Sequence, residues 1–476
     1  MNRYDVIIIG GGIGGLTCGC YLSKKGLKVL LVEQHSKVGG YCTSFNRQGY
    51  TFDAGPHYLG SLRKGGTLFK ILRDLDLLHR VNFIRDDPTD RIITPDKTIF
   101  LRTKVSETKK ELSSNFPQEK DNLDSFFDLI LNVYSVNVMY KLNKITFKKL
   151  LDYYFTSNKL KAIFSLLLFG AKAISSRDAS ALIAVVTYRE FFLDGGYYPK
   201  GGMQTFADLL AQRYCEYGGE LLLNSRVTKI ITRKNTAIGI EIGADCNFIA
   251  KYVVSNADSA WTFKKLLEHK TKESKAVDKL SISQSAFAVY LGLNKRIDNE
   301  YRNCITWFFP SYNIKDIGIT QKTFYNTNCI ICAMRSSGDS VSMQERNTLQ
   351  LTVIASYRNN RSWNNSKNDL KEKIISTVKC LFPQLEDTVV LKETATPCTF
   401  QRYTSNRRGA IFGLQETVGQ ISRSVFPDRT TVKNLYLVGH WVTNGIGQSG
   451  IPTVAFCGKN VAGRILQKIV AGDKTG

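Results

Sequence analysis

Between Tyr4 and Glu33 the chain has little freedom of fold. Tyr4 to Ile9 is an apolar, β-branched run of the kind that fills a strand buried on both faces. It stops abruptly at Gly10-Gly11-Gly12-Ile13-Gly14-Gly15, which carries G-x-G-x-x-G at positions 10, 12 and 15. A helical stretch runs on to Lys25 and is closed by Gly26, and a second strand, Lys28 to Val32, delivers Glu33 at its carboxyl end. Gly10 permits the tight turn, Gly12 lets backbone N–H groups approach a pyrophosphate, and Gly15 lets the helix pack close to the strand. The helix N-terminus adds roughly half a positive charge facing the phosphates. Glu33 is placed to accept hydrogen bonds from a ribose 2′-hydroxyl, which argues against a 2′-phosphate. Strand, glycines, helix, strand and acid in this order predict a dinucleotide-binding unit, with Gly10, Gly12, Gly14, Gly15 and Glu33 as contacts.

The next segment selects the dinucleotide. Gly39-Gly40 follows Glu33, then Tyr41-Cys42-Thr43-Ser44-Phe45 and Phe52-Asp53-Ala54-Gly55-Pro56-His57. Paired glycines let a second loop lie against the pyrophosphate and ribityl chain, an extended contact that FAD needs and NAD does not. These residues resemble the FAD-dependent amine oxidase and carotenoid desaturase superfamily. The EQH at 33–35, GGYCTSF at 39–45 and FDAGPHYLG at 52–60 are similar to the all-trans-retinol saturase, carotenoid isomerase and phytoene desaturase-like branch. The likeness continues in Tyr198 to Gln204, in the strand around Val227 and in Val253 to Ala257, whereas residues 80–195 show little of it and His440-Trp441 departs from the pattern, standing where an acidic or small residue often follows Gly439.

The resemblance implies an α/β fold: a discontinuous, Rossmann-like FAD-binding domain of the glutathione-reductase type (residues 1–80, 198–270 and 420–476) and a mixed α+β substrate domain (81–197 and 271–419). It adds Tyr41, Val227, Asn256, Gly439 and Ile451 to the FAD contacts, with the backbone of Val227 facing the adenine. Asn434 to Val438 reads as another buried strand, and Gly445 to Gly450 as a glycine-rich turn. Pro452 suits the first turn of a helix that runs to Val470 and is closed by Gly472. His57 and His440 are candidates for proton handling, each against the plainer reading of a packed histidine. Glu190, Asp194, Arg402 and Tyr403 are lesser candidates for positioning.

Composition narrows the partners. The formal charge is +24 with 43% hydrophobic residues, which excludes general disorder and calls for an anionic partner. No nucleic-acid-binding signature accompanies the charge, so no nucleic acid is expected. From Lys141 to Lys172 seven lysines and one aspartate interleave with Tyr153, Tyr154, Phe155 and the cluster Leu166 to Phe169. That pattern fits an anionic membrane surface touched peripherally, or a basic helix packed by its apolar face. The longest apolar stretch, Ala162 to Ala173, is too short to span about 30 Å of hydrocarbon. Eleven cysteines at irregular spacing, with no cleavable leader read at the N-terminus, point to a reducing, cytoplasmic setting. Cys329 and Cys332 read as core cysteines in a strand, and no metal site is expected.

The resemblance implies redox chemistry on a long hydrophobic isoprenoid polyene, a carotenoid or retinoid, by desaturation, saturation or cis-trans isomerisation. A conjugated chain spreads the charge left at an allylic carbon, so no strong protein base is required. Quinone and oxygen both stand as electron acceptors. Two other classes stay open: an amine oxidase with a small polar substrate, and a flavin-free prenyl carrier of the Rab GDP-dissociation inhibitor type, which would not need the glycine set and Glu33.

Overall fold

The computed structural model describes residues 3–243, 246–295, 297, 304–314, 325, 327–337, 346–422, 427–442 and 450–473. Two seven-stranded sheets organise them. In the first, Arg3–Ile9 lies parallel between Val29–Val32 and the second half of Cys246–Ser255, with Glu220–Leu222 and Leu435–Leu437 extending the parallel set on either side. The hairpin Val227–Arg233 and Thr236–Ile242 adds antiparallel strands along the first half of Cys246–Ser255. Val6 to Ile8 and Val29 to Val32 are buried, as expected of parallel strands covered on both faces. Helices Ile13–Ser23, Met203–Glu216 and Ile451–Asp473 contribute to the surrounding core, which also takes in Val277, Leu280, Ala410 and Leu414.

The second sheet is mixed, ordered Val389–Ala395, Ser285–Leu293, Arg346–Ala355, Ile330–Ser337, Ile305–Phe308, Asp90–Ile93 and Thr98–Leu101. Only Ile305–Phe308 with Asp90–Ile93 is a parallel pair. The period of two along its strands decides what each face does. Phe287, Val289 and Leu291, with Leu349, Leu351 and Val353, pack with Trp363, Leu370 and Ile374 of helix Asn360–Val378. The alternate residues Ala286, Ala288, Tyr290, Thr352 and Ile354 line a cavity on the opposite face. This is the α/β architecture with a second mixed sheet that the resemblance implied.

Helix Asn158–Lys172 corrects one expectation. Ile163, Phe164 and Leu166 to Phe169 are buried against Trp307, Phe192 and Tyr188 in a helical core, so this apolar cluster meets protein, not lipid. Four lysines of the stretch are paired: Lys148 and Lys161 with Asp152, Lys159 with Asp96, and Lys172 with Glu416. The exposed apolar side chains lie earlier, at Leu131, Tyr134, Val136, Tyr140 and Tyr153. A smaller correction concerns the last helix, which runs through Gly472 to Asp473 instead of closing there. The glycine-rich turn read at 445–450 falls, except for Gly450, outside the described residues. Cys329 and Cys332 are buried core residues, and among the described residues no His, Cys, Asp and Glu cluster could hold a metal.

Candidate functional site

The loop after the first strand is held by its own backbone. Gly10 adopts φ +97°, and a Cβ on Gly15 would sit 2.2 Å from the Gly10 carbonyl oxygen, so no side chain fits there without displacing the turn. Gly12 caps helix Ile13–Ser23 without a side-chain hydrogen bond, leaving its first N–H groups open to a ligand. Gly39, at φ +121°, donates its N–H to the Gly11 carbonyl at 2.8 Å and forms a bridge with Gly12, so the two glycine loops are one structure.

Asn256 fastens a third segment to them. Its Nδ2 donates to the Gly10 carbonyl at 3.3 Å, and a Cβ on Gly439 would lie 2.5 Å from its Oδ1. Glu33 stands at the end of its strand as expected, and its carboxylate accepts from the Gly11 N–H at 2.7 Å and the His35 N–H at 3.0 Å. It therefore braces the glycine loop before it meets any ligand. Tyr41, Val227 and Ile451, the first residue of the last helix, join these groups on the wall of one cavity of about 1200 Å³. Eleven of the twelve cofactor contacts expected from sequence thus border this cavity, and the twelfth, Gly15, packs behind the turn against the Gly10 carbonyl and Ile8.

A dinucleotide fits what the chain offers here: uncapped helix N–H donors for a diphosphate, a buried carboxylate for a ribose, and glycines whose missing Cβ atoms leave room for both. The cavity then continues past His57 and His440 to the open face of the second sheet, between Val186, Phe191 and Gly170 on the helical side and Trp307, Ile331 and Ile354 on the sheet.

The two histidines are brought to the same cavity from different loops. Burial pushes both rings down to about 4, helped at His57 by the positive charge of Arg335. Arg335 also donates to the His57 carbonyl at 2.7 Å, and its guanidinium stands 4.1 Å from the Tyr198 ring centre. A histidine held below its unfolded value of about 6.5 leaves stability untouched above that pH. As pH falls towards 4 the unfolded chain takes up a proton that the native ring refuses, so stability is lost across this window, by at most about 3 kcal/mol per ring. The melting temperature should fall between pH 6.5 and 4, less steeply in His57→Asn; equal slopes for the two proteins would refute the assignment.

Sequence reading missed three groups. Asp90 is buried and accepts from Tyr58 Oη at 2.9 Å, Trp307 Nε1 at 2.8 Å and Thr89 Oγ1 at 2.9 Å, fixing two aromatic rings of the wall. Burial raises its carboxyl to about 6 despite those donors. Arg63 clamps the two lesser candidates: it bonds Glu190 through both Nη atoms, at 2.8 and 2.7 Å, and Asp194 at 2.9 Å. Asn406 bridges His440 and Trp441. None of the three lies in a motif, and no local signal marks them. Arg402 and Tyr403 sit at the rim, where the Tyr403 carbonyl meets His35 Nε2 at 2.5 Å.

Comparison with known proteins places this geometry among relatives. Residues 13–466 match the family described as flavin containing amine oxidoreductase. The chain is 26% identical to 4,4′-diapophytoene desaturase (4,4′-diapolycopene-forming) of Methylomonas sp over 98% of this chain and 96% of that protein. It is also 26% identical to prolycopene isomerase 1 of an Oncidium hybrid cultivar, covering 98% of this chain and 84% of that one. A third relative at 26%, covering 91% and 82%, is the all-trans-retinol 13,14-reductase of Danio rerio. Among solved structures, an oxidoreductase from Methanosarcina mazei superposes with a TM-score of 0.68 at 18% identity over 96% of this chain and 99% of that one. A putrescine oxidase variant reaches 0.69 at 16% identity over 98% and 99%.

Proposed function

This chain belongs to the flavin-containing amine oxidoreductase family and is an FAD-dependent oxidoreductase, from which premise we propose that its substrate is a long hydrophobic isoprenoid polyene, a carotenoid or retinoid. One observation carries the proposal: the cavity that begins at the glycine loops extends over the open face of the second sheet between apolar and aromatic walls. A small amine cation would need an anionic partner on those walls. Glu33 is engaged by Gly11 and His35, Glu190 by Arg63, and Glu393 lies at the rim facing Arg47 at 3.9 Å. An extended hydrocarbon needs none, and the names of the relatives point the same way.

FAD supplies a two-electron acceptor and donor for a carbon–hydrogen bond. The twelve residues named above are proposed to hold it: the uncapped amides after Gly12 and the loop at Gly39-Gly40 take the diphosphate, Glu33 the adenosine ribose, and the backbone at Val227 the adenine. Asn256 locks the loop at Gly10 to that at Gly439, and Tyr41 and Ile451 close the far side. His57 and His440 are neutral at pH 7, so either can pass a proton without first giving one up to water. Tyr58, stacked 4.6 Å from Phe191, and Trp307 give the substrate channel aromatic walls.

Incubating the FAD-loaded protein with a panel of polyenes and weighing the products tests this. Loss of two hydrogens reports desaturation, gain of two saturation, and unchanged mass with a shifted retention time isomerisation. Unchanged polyenes together with peroxide release from amines would replace the reading. Quinone and oxygen, supplied separately, identify the acceptor.

We also propose that the substrate arrives from an anionic membrane surface. No helix of the described residues is long and apolar enough to cross a membrane. A peripheral contact has its elements in Val136 (80% exposed), Tyr140 (65%) and Tyr153 (81%) beside Lys141, Lys144 and Lys149. Tyr134 belongs to the same exposed segment and also lines the cavity. Sedimentation with anionic liposomes at low salt should exceed that with neutral ones, and Val136→Ser/Tyr153→Ser should abolish the difference; negligible binding to both would remove the idea. We propose a cytoplasmic setting, in keeping with eleven cysteines at irregular spacing.

A further inference from the structure

The hydrogen-bond chemistry around Asn406 fixes where His440 carries its proton. Trp441 Nε1 lies 2.9 Å from Asn406 Oδ1, and both residues are buried. An indole N–H only donates, so the atom facing it must be the amide oxygen, and the orientation of the Asn406 amide follows. The amide nitrogen then faces His440 Nε2 at 3.3 Å and the Tyr41 hydroxyl oxygen at 3.4 Å. Both must accept. Tyr41 can, because its own proton goes to the Ala410 carbonyl at 3.0 Å. His440 Nε2 can only if the ring is neutral and its proton sits on Nδ1.

The surroundings hold this chain of donors in place. Arg407, next in sequence, donates its backbone N–H to Asp258 at 2.7 Å and its guanidinium stands 5.2 Å from the centre of the Trp441 ring. On the other side of His440, a Cβ on Gly413 would lie 2.0 Å from the His440 carbonyl, and the Leu414 N–H donates to that carbonyl at 3.1 Å. Turning the ring over would carry Nε2 away from the Asn406 amide nitrogen and break that contact. Nδ1 has no hydrogen-bond partner among the described residues, and His440 stands on the cavity wall.

We propose that Trp441 and Asn406 are positioning residues that lock His440 as the Nδ1–H tautomer, so that it offers the FAD cavity a hydrogen-bond donor and not an acceptor. A donor on the wall favours the electron-rich form of a ring system bound against it. Against a flavin ring held at this wall, the locked tautomer would raise the reduction potential of FAD. This rests on FAD occupying the cavity, and not on the identity of the substrate, so it can fail while the polyene reading stands.

Nitrogen-15 NMR of histidine-labelled, FAD-loaded protein tests it, with the His440 signals identified by their loss in His440→Asn. The wild-type ring should show a protonated Nδ1 and an unprotonated Nε2; a protonated Nε2 overturns the proposal outright, whatever the variants do. Asn406→Asp presents oxygen to both neighbours, and should move the His440 proton to Nε2 and shift the FAD potential to a more negative value. Trp441→Phe frees the amide to reverse and should give a mixture of tautomers with a smaller shift in potential, while Asn406→Gln restores part of the wild-type pattern. A tautomer unchanged in folded, yellow Asn406→Asp also overturns the proposal, since a purely structural asparagine would leave both readouts where they were.

Discussion

Gly15→Val should give a colourless protein, with FAD affinity down by about a hundredfold or more and a melting temperature below that of the wild type. The reason is geometric. A Cβ at Gly15 would meet the Gly10 carbonyl oxygen at 2.2 Å and the Ile8 side chain at 3.3 Å, so either the turn or the helix must move. Moving the turn carries Gly12 with it, and Gly12 is tied through Gly39 to the second loop and, across the missing Cβ, to Asn256. One added side chain thus displaces three of the segments that border the cavity, where an over-packed core site alone costs about 1–3 kcal/mol. Gly463→Ala is the control. It lies inside the last helix with nothing within 4 Å of the added Cβ, and should be neutral or stabilise by up to about 1 kcal/mol through helix propensity. Absorbance near the flavin bands and thermal melts read both; a yellow Gly15→Val with wild-type affinity would mean that the cofactor does not lie against this turn.

The same turn explains how much of the candidate cofactor site was legible in the sequence. Its parts from Gly10 to Gly40 lie close together in the chain, and each glycine is required by backbone approach alone, with no need to know what lies across the cavity. Asn256, Gly439 and Ile451 are remote in sequence and were reached through resemblance. The helix Asn158–Lys172 shows the opposite case. It is apolar nearly all round, which from sequence fits a membrane-contacting helix and a fully buried one equally. Its lysines settle the matter only in three dimensions: Lys159 pairs with Asp96, 63 residues back, and Lys172 with Glu416, 244 residues on. Asp90 and Asn406 were illegible for the same reason. A buried polar side chain is defined by its donors, here Tyr58, Trp307 and Thr89 for one and Trp441 for the other, and only folding brings those together.

Arg63→Met should destabilise the protein by about 3–5 kcal/mol at pH 7, the cost of leaving buried carboxylates without their counter-charge. Glu190 is also bonded by Ser61 at 2.5 Å and Tyr134 at 3.0 Å, but only Arg63 is positively charged, and Asp194 shares it. Burial alone would raise Glu190; the hydrogen bonds and charge of Arg63, with those of Ser61 and Tyr134, instead hold it below the ordinary carboxylate range. Asp194 stays above that range because burial outweighs the same arginine. In the wild type, Glu190 therefore adds stability above its unfolded value of about 4.5, and that contribution is lost as pH falls through its lower folded value. Without Arg63, burial and mutual repulsion raise both acids in the folded state, so each favours folding when protonated and the sign reverses. The deficit of Arg63→Met should accordingly shrink as pH drops below about 5, and Arg63→Met/Glu190→Gln should recover part of it at pH 7 by removing one of the two stranded charges. Because Arg63, Glu190 and Tyr134 all line the cavity, the single variant should also lose turnover before it loses bound FAD. Denaturant midpoints at pH 7 and pH 4 decide the matter: a deficit equal at both would mean that the arginine is held by packing and not by the two acids.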